Sequence, residues 1–226
     1  MKAQPVSHSL NRSQGDFVLL CVAKAEFMLR DADDFATRGV LPERITAFIA
    51  QTQVVAKLPS DKQLDYPKQV LTEAAQKQRL LVESGMATVM SKVSILHKDT
   101  SAAYKAFGSG GLYNDSEGDF YLGINHLVDH AQLHLDEYVK QGLTADELTV
   151  LNGENEKYLL AVKAQRRGIS ARTLAAQARQ GALATHDEEL NALCGVGQGL
   201  YKQTSNSKYA DYVVNPAEHP STPAVA

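Results

Sequence analysis

The chain has 226 residues, 44 % of them hydrophobic and 22 % charged, with a formal net charge of -3. A general nucleic-acid binder needs a surplus of Lys and Arg to displace counterions from phosphates, and here Asp and Glu are in slight surplus instead. No apolar run nears the roughly 20 residues of a membrane-spanning helix, so no membrane insertion is expected.

The chain opens on a polar stretch, and residues 1–12 read as a disordered arm. Nothing between Met1 and Gly15 has the apolar centre of a secretory leader. The two cysteines, Cys21 and Cys194, lie in apolar, helix-like stretches and read as buried thiols of a reducing compartment, so the expected location is cytoplasmic.

The first helix is expected from the Gly15-Asp16-Phe17 region, where Asp16 favours a helix start, to Gly39, where a left-handed stop suits glycine. A second opens at Leu41-Pro42-Glu43, with proline in its first turn. The third starts near Pro67 and carries the stripe Leu71, Ala75, Gln78, Val82, Gly85, Val89, Val93 and Leu96. A short closing helix follows at 101–107. Gly108-Ser109-Gly110-Gly111 and Asn114-Asp115-Ser116 are linker chemistry, placing a linker at 108–115.

The same order of elements then recurs. Phe120, Ile124, Leu127, Ala131, Leu135 and Tyr138 share one helical face, between Asp119 and Gly142. Thr144 and Glu147 have capping-box spacing. A third helix is expected over 170–201 and a closing one over 207–213. The tail, 214–226, carries Pro216, Pro220 and Pro223 and reads as disordered.

The recurrence has a register. At a shift of 103, Gly15-Asp16-Phe17 falls on Gly118-Asp119-Phe120, Asp33-Asp34-Phe35 on Asp136-Glu137-Tyr138, and Gly39-Val40 on Gly142-Leu143. Near the ends, Leu96-His97-Lys98 falls on Leu200-Tyr201-Lys202 at 104. The expected fold is therefore all-α: a duplicated helical bundle of two repeats, 13–107 and 116–213. Each repeat has three main helices and a short closing one, and the two pack as one pseudo-two-fold unit.

Few residues point to chemistry. His126, His130 and His134 recur every four residues on the flank of one helix; one divalent transition metal has room for His126 and His130, but hardly for all three in tetrahedral geometry. The equivalent positions in the first repeat are Ala23, Phe27 and Asp31, so the site is not duplicated. Tyr104, Tyr201, Tyr209 and Tyr212 gather in the closing segments and are candidates to line a small-ligand pocket between the repeats. The run Gly195, Gly197, Gly199 sits in a helical pattern and reads as close helix packing rather than a phosphate loop. Asp31, Asp33 and Asp34 read as the solvated last turns of a helix. No acid–base or nucleophile set converges. The function expected first is a non-catalytic scaffold or interaction protein, binding a protein partner or a second copy of itself. The metal-binding protein and the ligand carrier are its rivals.

Overall fold

Ser13 starts the first helix, α1 (Gln14–Arg30): its hydroxyl accepts the Asp16 amide, one of the donors a first turn leaves unpaired. Ser116 does the same for α6 (Glu117–Leu133) through the Asp119 amide. Both hydroxyls donate onward to the aspartate carboxylate at 2.7 Å. α1 breaks at Asp31 (φ -105°, ψ 20°) and α6 at His134 (φ -108°, ψ 19°). The short helices α2 (Ala32–Ala36) and α7 (Leu135–Tyr138) follow the breaks. Gly39 (φ +78°) and Gly142 (φ +83°) then turn the chain in the left-handed conformation that glycine reaches without strain. The starts at Asp16 and Asp119 and the turns at Gly39 and Gly142 are the ones the sequence implies, whereas the breaks at Asp31 and His134 fall within helices expected to be continuous. The structure, a computed structural model describing residues 12–214, is helical and contains no strand among the described residues. No helix in it is long and apolar enough to cross a membrane among the described residues. The expected disordered arm and tail lie outside the described residues, apart from Arg12 and Val214.

The third helices depart from expectation, in opposite ways. α3 (Pro42–Ala56) starts on proline and ends before Leu58-Pro59, and α4 (Asp61–Leu96) begins after that proline. Pro67 therefore lies inside α4 rather than at its start, at the loss of one backbone hydrogen bond near the helix end. α8 (Ala145–Tyr201) has no such break and runs for 57 residues, where two helices are expected. It opens on the expected capping box: the Thr144 amide donates to Glu147 at 3.0 Å and the Glu147 amide to the Thr144 hydroxyl at 3.2 Å. Gly168, in mid-helix, is no stop. A Cβ there would lie 2.5 Å from the Leu71 side chain, so the glycine serves the close approach of α4 and α8.

The chain separates into two compact units. Among the described residues, one holds 12–60 and 176–214; the other is Asp61–Ala175. Neither coincides with a sequence repeat, because the long helices leave the segment that precedes them. In the first unit the end of α8 and α9 (Asn206–Asp211) fold onto α1 and α3. Phe17, Cys21, Met28, Phe35, Ile45, Phe48 and Val55 meet Leu190, Leu193, Cys194 and Tyr212 in one core. In the second, α4 and α5 (Ala102–Lys105) fold onto α6, α7 and the start of α8. There Phe120, Ile124, Ala131, Tyr138, Leu148, Leu151 and Tyr158 meet Met86, Val89, Met90 and Phe107. Each such side chain removed from water stabilises the fold by about 1.5–3 kcal/mol. Within the second unit α4 and α8 run antiparallel, joined by Arg172 to Asp65 (2.9 Å), Gln165 to Thr72 (3.4 Å), Gln78 to the Glu154 carbonyl (3.1 Å) and Lys92 to Glu147.

The expected linker is shaped rather than loose. Leu112 is buried in a short 3₁₀ turn and packs over Gly123, while Arg79 donates to the carbonyls of Leu112 (3.3 Å) and Tyr113 (2.9 Å).

Candidate functional site

The densest polar chemistry lies where α9 closes the first unit. Asp31 is 4 % exposed, which corrects its reading as a solvated helix end. One carboxylate oxygen accepts Arg30 Nε (3.1 Å) and Lys208 Nζ (2.8 Å); the other accepts Arg30 Nη2 (2.7 Å) and the Tyr212 hydroxyl (2.9 Å). Arg30, and after it Lys208 and Tyr212, hold the Asp31 carboxyl far below the usual carboxylate range, against the opposing pull of burial. Burial, and then Asp31, drive the Tyr212 phenol far upward. Tyr201 donates to Asp34 at 2.5 Å, and burial with that hydrogen bond pushes it to about 12.

The backbone beyond α9 is gripped as firmly. Lys24, 7 % exposed, donates to the carbonyls of Asp211 (2.5 Å) and Val213 (2.9 Å). Gln198 donates to Tyr212 O at 2.8 Å, and Arg12 to Val214 O at 2.7 Å. A carboxylate with both oxygens doubly occupied has no lone pair left with which to take a substrate's proton. The cluster is a clamp on the closing segment. Lys24 was legible in principle: it stands at core spacing among Phe17, Cys21 and Met28, a place for lysine only if its ammonium finds oxygens.

His186, 2 % exposed, is the other buried polar group that the pattern did not single out. Its ring stacks on Phe48 (4.6 Å between centroids) and meets Phe17 edge-on (5.9 Å). Its Nε2 lies 2.8 Å from the Thr52 hydroxyl. That hydroxyl donates to the Phe48 carbonyl (3.0 Å), so the imidazole is the donor to Thr52. Burial lowers the His186 pKa, while Glu189 and Asp187 oppose it less strongly.

Of the residues the sequence suggests for ligands, His130 and His134 have their rings 4.6 Å apart. His126 is exposed. His130 sits edge-on to Phe107 (4.6 Å) with its pKa lowered by burial and then by His134, and His134 pairs with Glu137 at 2.8 Å. No group of three or more His, Cys, Asp or Glu among the described residues is placed to hold a metal ion. Tyr104 packs against the core of the second unit, whereas Tyr201, Tyr209 and Tyr212 belong to the first. Tyr201 and Tyr212 stack on each other at 5.9 Å, and the Tyr212 ring lies where Gly197 has no side chain. Gly197 thus serves close packing, the reading taken from the sequence. Burial raises the thiol of Cys21 to about 12 and that of Cys194 to about 11, so neither is a ready nucleophile.

What stands open is apolar. In the first unit a groove of 250 Å³ runs between α1 and α3, lined by Val22, Ala25, Glu26, Leu29, Ile49, Thr52 and Gln53. At a shift of 103 these positions in the second unit are Asn125, Val128, Asp129, Gln132, Asn152, Asn155 and Glu156. There the face is bridged: Tyr121 donates to Glu156 at 2.7 Å and Asn155 to Asn125 at 2.7 Å. The second unit has its own groove of 310 Å³ between α4 and α8, over Gly85 and beside Leu81, Val150 and Leu151. In the first unit Glu189 stands in the place of Gly85 and is joined to Arg44 through two hydrogen bonds (2.7 and 3.0 Å). Each unit thus leaves open a face that the other closes with polar side chains. No family model, curated protein or solved structure matches this chain.

Proposed function

We propose that the chain is a helical interaction protein rather than an enzyme, and that it binds through the α1–α3 face of its first unit. One observation carries this: Val22, Leu29 and Ile49 face an open groove there, where Asn125, Gln132 and Asn152 stand in the second unit. Solvent-facing apolar side chains gathered around a concavity mark contact surfaces, whereas scattered ones need no explanation. The clamp at Asp31 supports the same reading, since its polar groups are spent on one another.

We also read the chain as a duplication in which each repeat lends its long third helix and closing helix to the first helices of the other. The matched serine caps, the matched breaks at Asp31 and His134, and the matched turns at Gly39 and Gly142 support this.

A photo-crosslinking residue in place of Leu29, compared with one in place of Gln132, tests the binding reading in the cells that make the protein. Adducts of higher mass are expected from position 29 and not from position 132. Equal labelling at both, or none at either, ends it.

A further inference from the structure

We infer that His130 and His134 form a site for one divalent transition metal, with Glu137 holding the second histidine in place. The inference stands apart from the interaction reading above. The two rings lie 4.6 Å apart, centroid to centroid, and are tilted by 48°. With metal–nitrogen bonds of about 2.0–2.1 Å and roughly 90–110° between them, two imidazoles sharing one ion hold their centroids about 4.5–5.3 Å apart. The spacing in the protein thus suits a shared ion. Both rings are half-buried, His134 with 36 % of its side chain exposed, so an ion reaches them from solvent.

Glu137, in α7, completes the arrangement. His134 Nδ1 lies 2.8 Å from Glu137 Oε1. A carboxylate only accepts, so in the neutral ring Nδ1 carries the proton and Nε2 keeps its lone pair. This is the carboxylate–histidine–metal order that fixes a ligating ring in one tautomer and strengthens it as a base. Neither nitrogen of His130 enters a hydrogen bond among the described residues, and its ring is held by the edge-on contact with Phe107.

The first unit supplies a contrast. At a shift of 103, His130 and His134 fall on Phe27 and Asp31. There two cations of the chain itself, Arg30 and Lys208, occupy the acid. The position of Arg30 is Leu133 in the second unit; that of Lys208 is Ala103, at the shift of 105 that sets Phe107 against Tyr212. The second unit thus gathers two imidazoles and a carboxylate where neither cation has a counterpart. Imidazole nitrogen selects zinc, copper or nickel over magnesium and calcium. Two protein ligands, rather than three, leave the remaining positions to water.

Calorimetric titration of the untagged full chain with Zn²⁺ at neutral pH tests the site. One equivalent per chain is expected, with a raised thermal midpoint, because an ion that binds only the folded chain stabilises it. His130→Phe, which installs the residue of the first unit, and His134→Asn are each expected to abolish the equivalent and the midpoint shift while the helical circular dichroism stays unchanged. Glu137→Gln is expected to weaken binding by about 10-fold. Glu137 is exposed, so this variant tests the site even where a histidine variant fails to fold. His126→Ala is expected to leave binding unchanged. No saturable binding, an equivalent that survives either histidine substitution, an equivalent lost with His126→Ala, or an affinity that Glu137→Gln leaves unchanged overturns the inference.

Discussion

The two units share serine caps, helix breaks and glycine turns, and they differ in how they treat polarity. The second closes its core over Phe107 with an apolar contact edge-on to Tyr138 at 5.7 Å. The first closes over Tyr212, whose hydroxyl reaches Asp31, and the acid in turn recruits Arg30 and Lys208. Where the second unit buries Leu127 and Val82, the first buries Lys24 and His186. The lesson is that an α-helical frame with matching caps and turns tolerates either solution inside, the first unit giving its buried Lys24, Asp31 and His186 partners of their own. The polar solution ties the closing segment to α1 by named bonds, whereas the apolar one holds it by packing alone.

The largest test of that contrast lies at Gly197. A Cβ there meets three atoms of the Tyr212 ring, and the ring is fixed by Asp31 and by its stacking on Tyr201. Gly197→Ala should therefore cost about 3 kcal/mol by overpacking, read as a lower midpoint in urea denaturation. In a Tyr212→Ala background the same change should cost nothing and return the small gain of alanine over glycine in a helix, about 0.5–1 kcal/mol. Equal losses in both backgrounds would show that the ring does not depend on that glycine.

A smaller effect separates hydroxyl from ring. Tyr212→Phe gives the first unit the residue that closes the second. It removes one of four donors to a buried carboxylate and should cost about 2 kcal/mol, as hydrogen bonds to charged groups do. The converse, Phe107→Tyr, brings a hydroxyl into a unit where His134, paired with Glu137, stands at the place of Asp31; with no carboxylate there to accept it, the change should also destabilise, by about 1–3 kcal/mol. If Tyr212→Phe is neutral, Arg30 and Lys208 alone satisfy Asp31, and the units differ in composition without differing in mechanism.

These contrasts also mark what the sequence could tell. Helix ends were legible because caps and turns are local: Asp16, Pro42, Gly39, Gly142 and the Thr144–Glu147 box each act within a few residues of themselves. The composition of the units was not. Pro59 breaks one connection and Gly168 spares the other, and Gly168 reads as a possible stop until Leu71 is known to lie against it. Asp31 looked solvated because its partners Lys208 and Tyr212 stand 177 and 181 residues away. The groove was hidden for a related reason: Val22 and Leu29 are apolar like any core residue, and only their exposure gives them a meaning.

His186 was hidden by its neighbours, since Thr185-His186-Asp187-Glu188-Glu189 reads as a solvated face. It carries the finest test of the comparison, one of pH. Its ring is packed on Phe17 and Phe48 and tied to Thr52, and burial lowers its pKa below the ordinary value of about 6.5. The unfolded chain therefore takes up this proton at a higher pH than the native one. The stability that depends on the neutral ring is complete above about pH 6.5 and declines as pH falls below it. Asp187 and Glu189, the acidic residues that act on the ring, oppose the shift without reversing it. His186→Val installs the residue that the second unit carries at the corresponding place, Val82. At neutral pH it should change stability by no more than about 1 kcal/mol, losing one hydrogen bond to Thr52 and gaining an apolar side chain. Between neutrality and pH 5 the wild type should lose stability faster than the variant, measured as the urea midpoint at each pH, because the variant has no imidazole to charge. Parallel curves would mean that the ring is protonated in place without opening the first unit, and the two units would then share one response to acid.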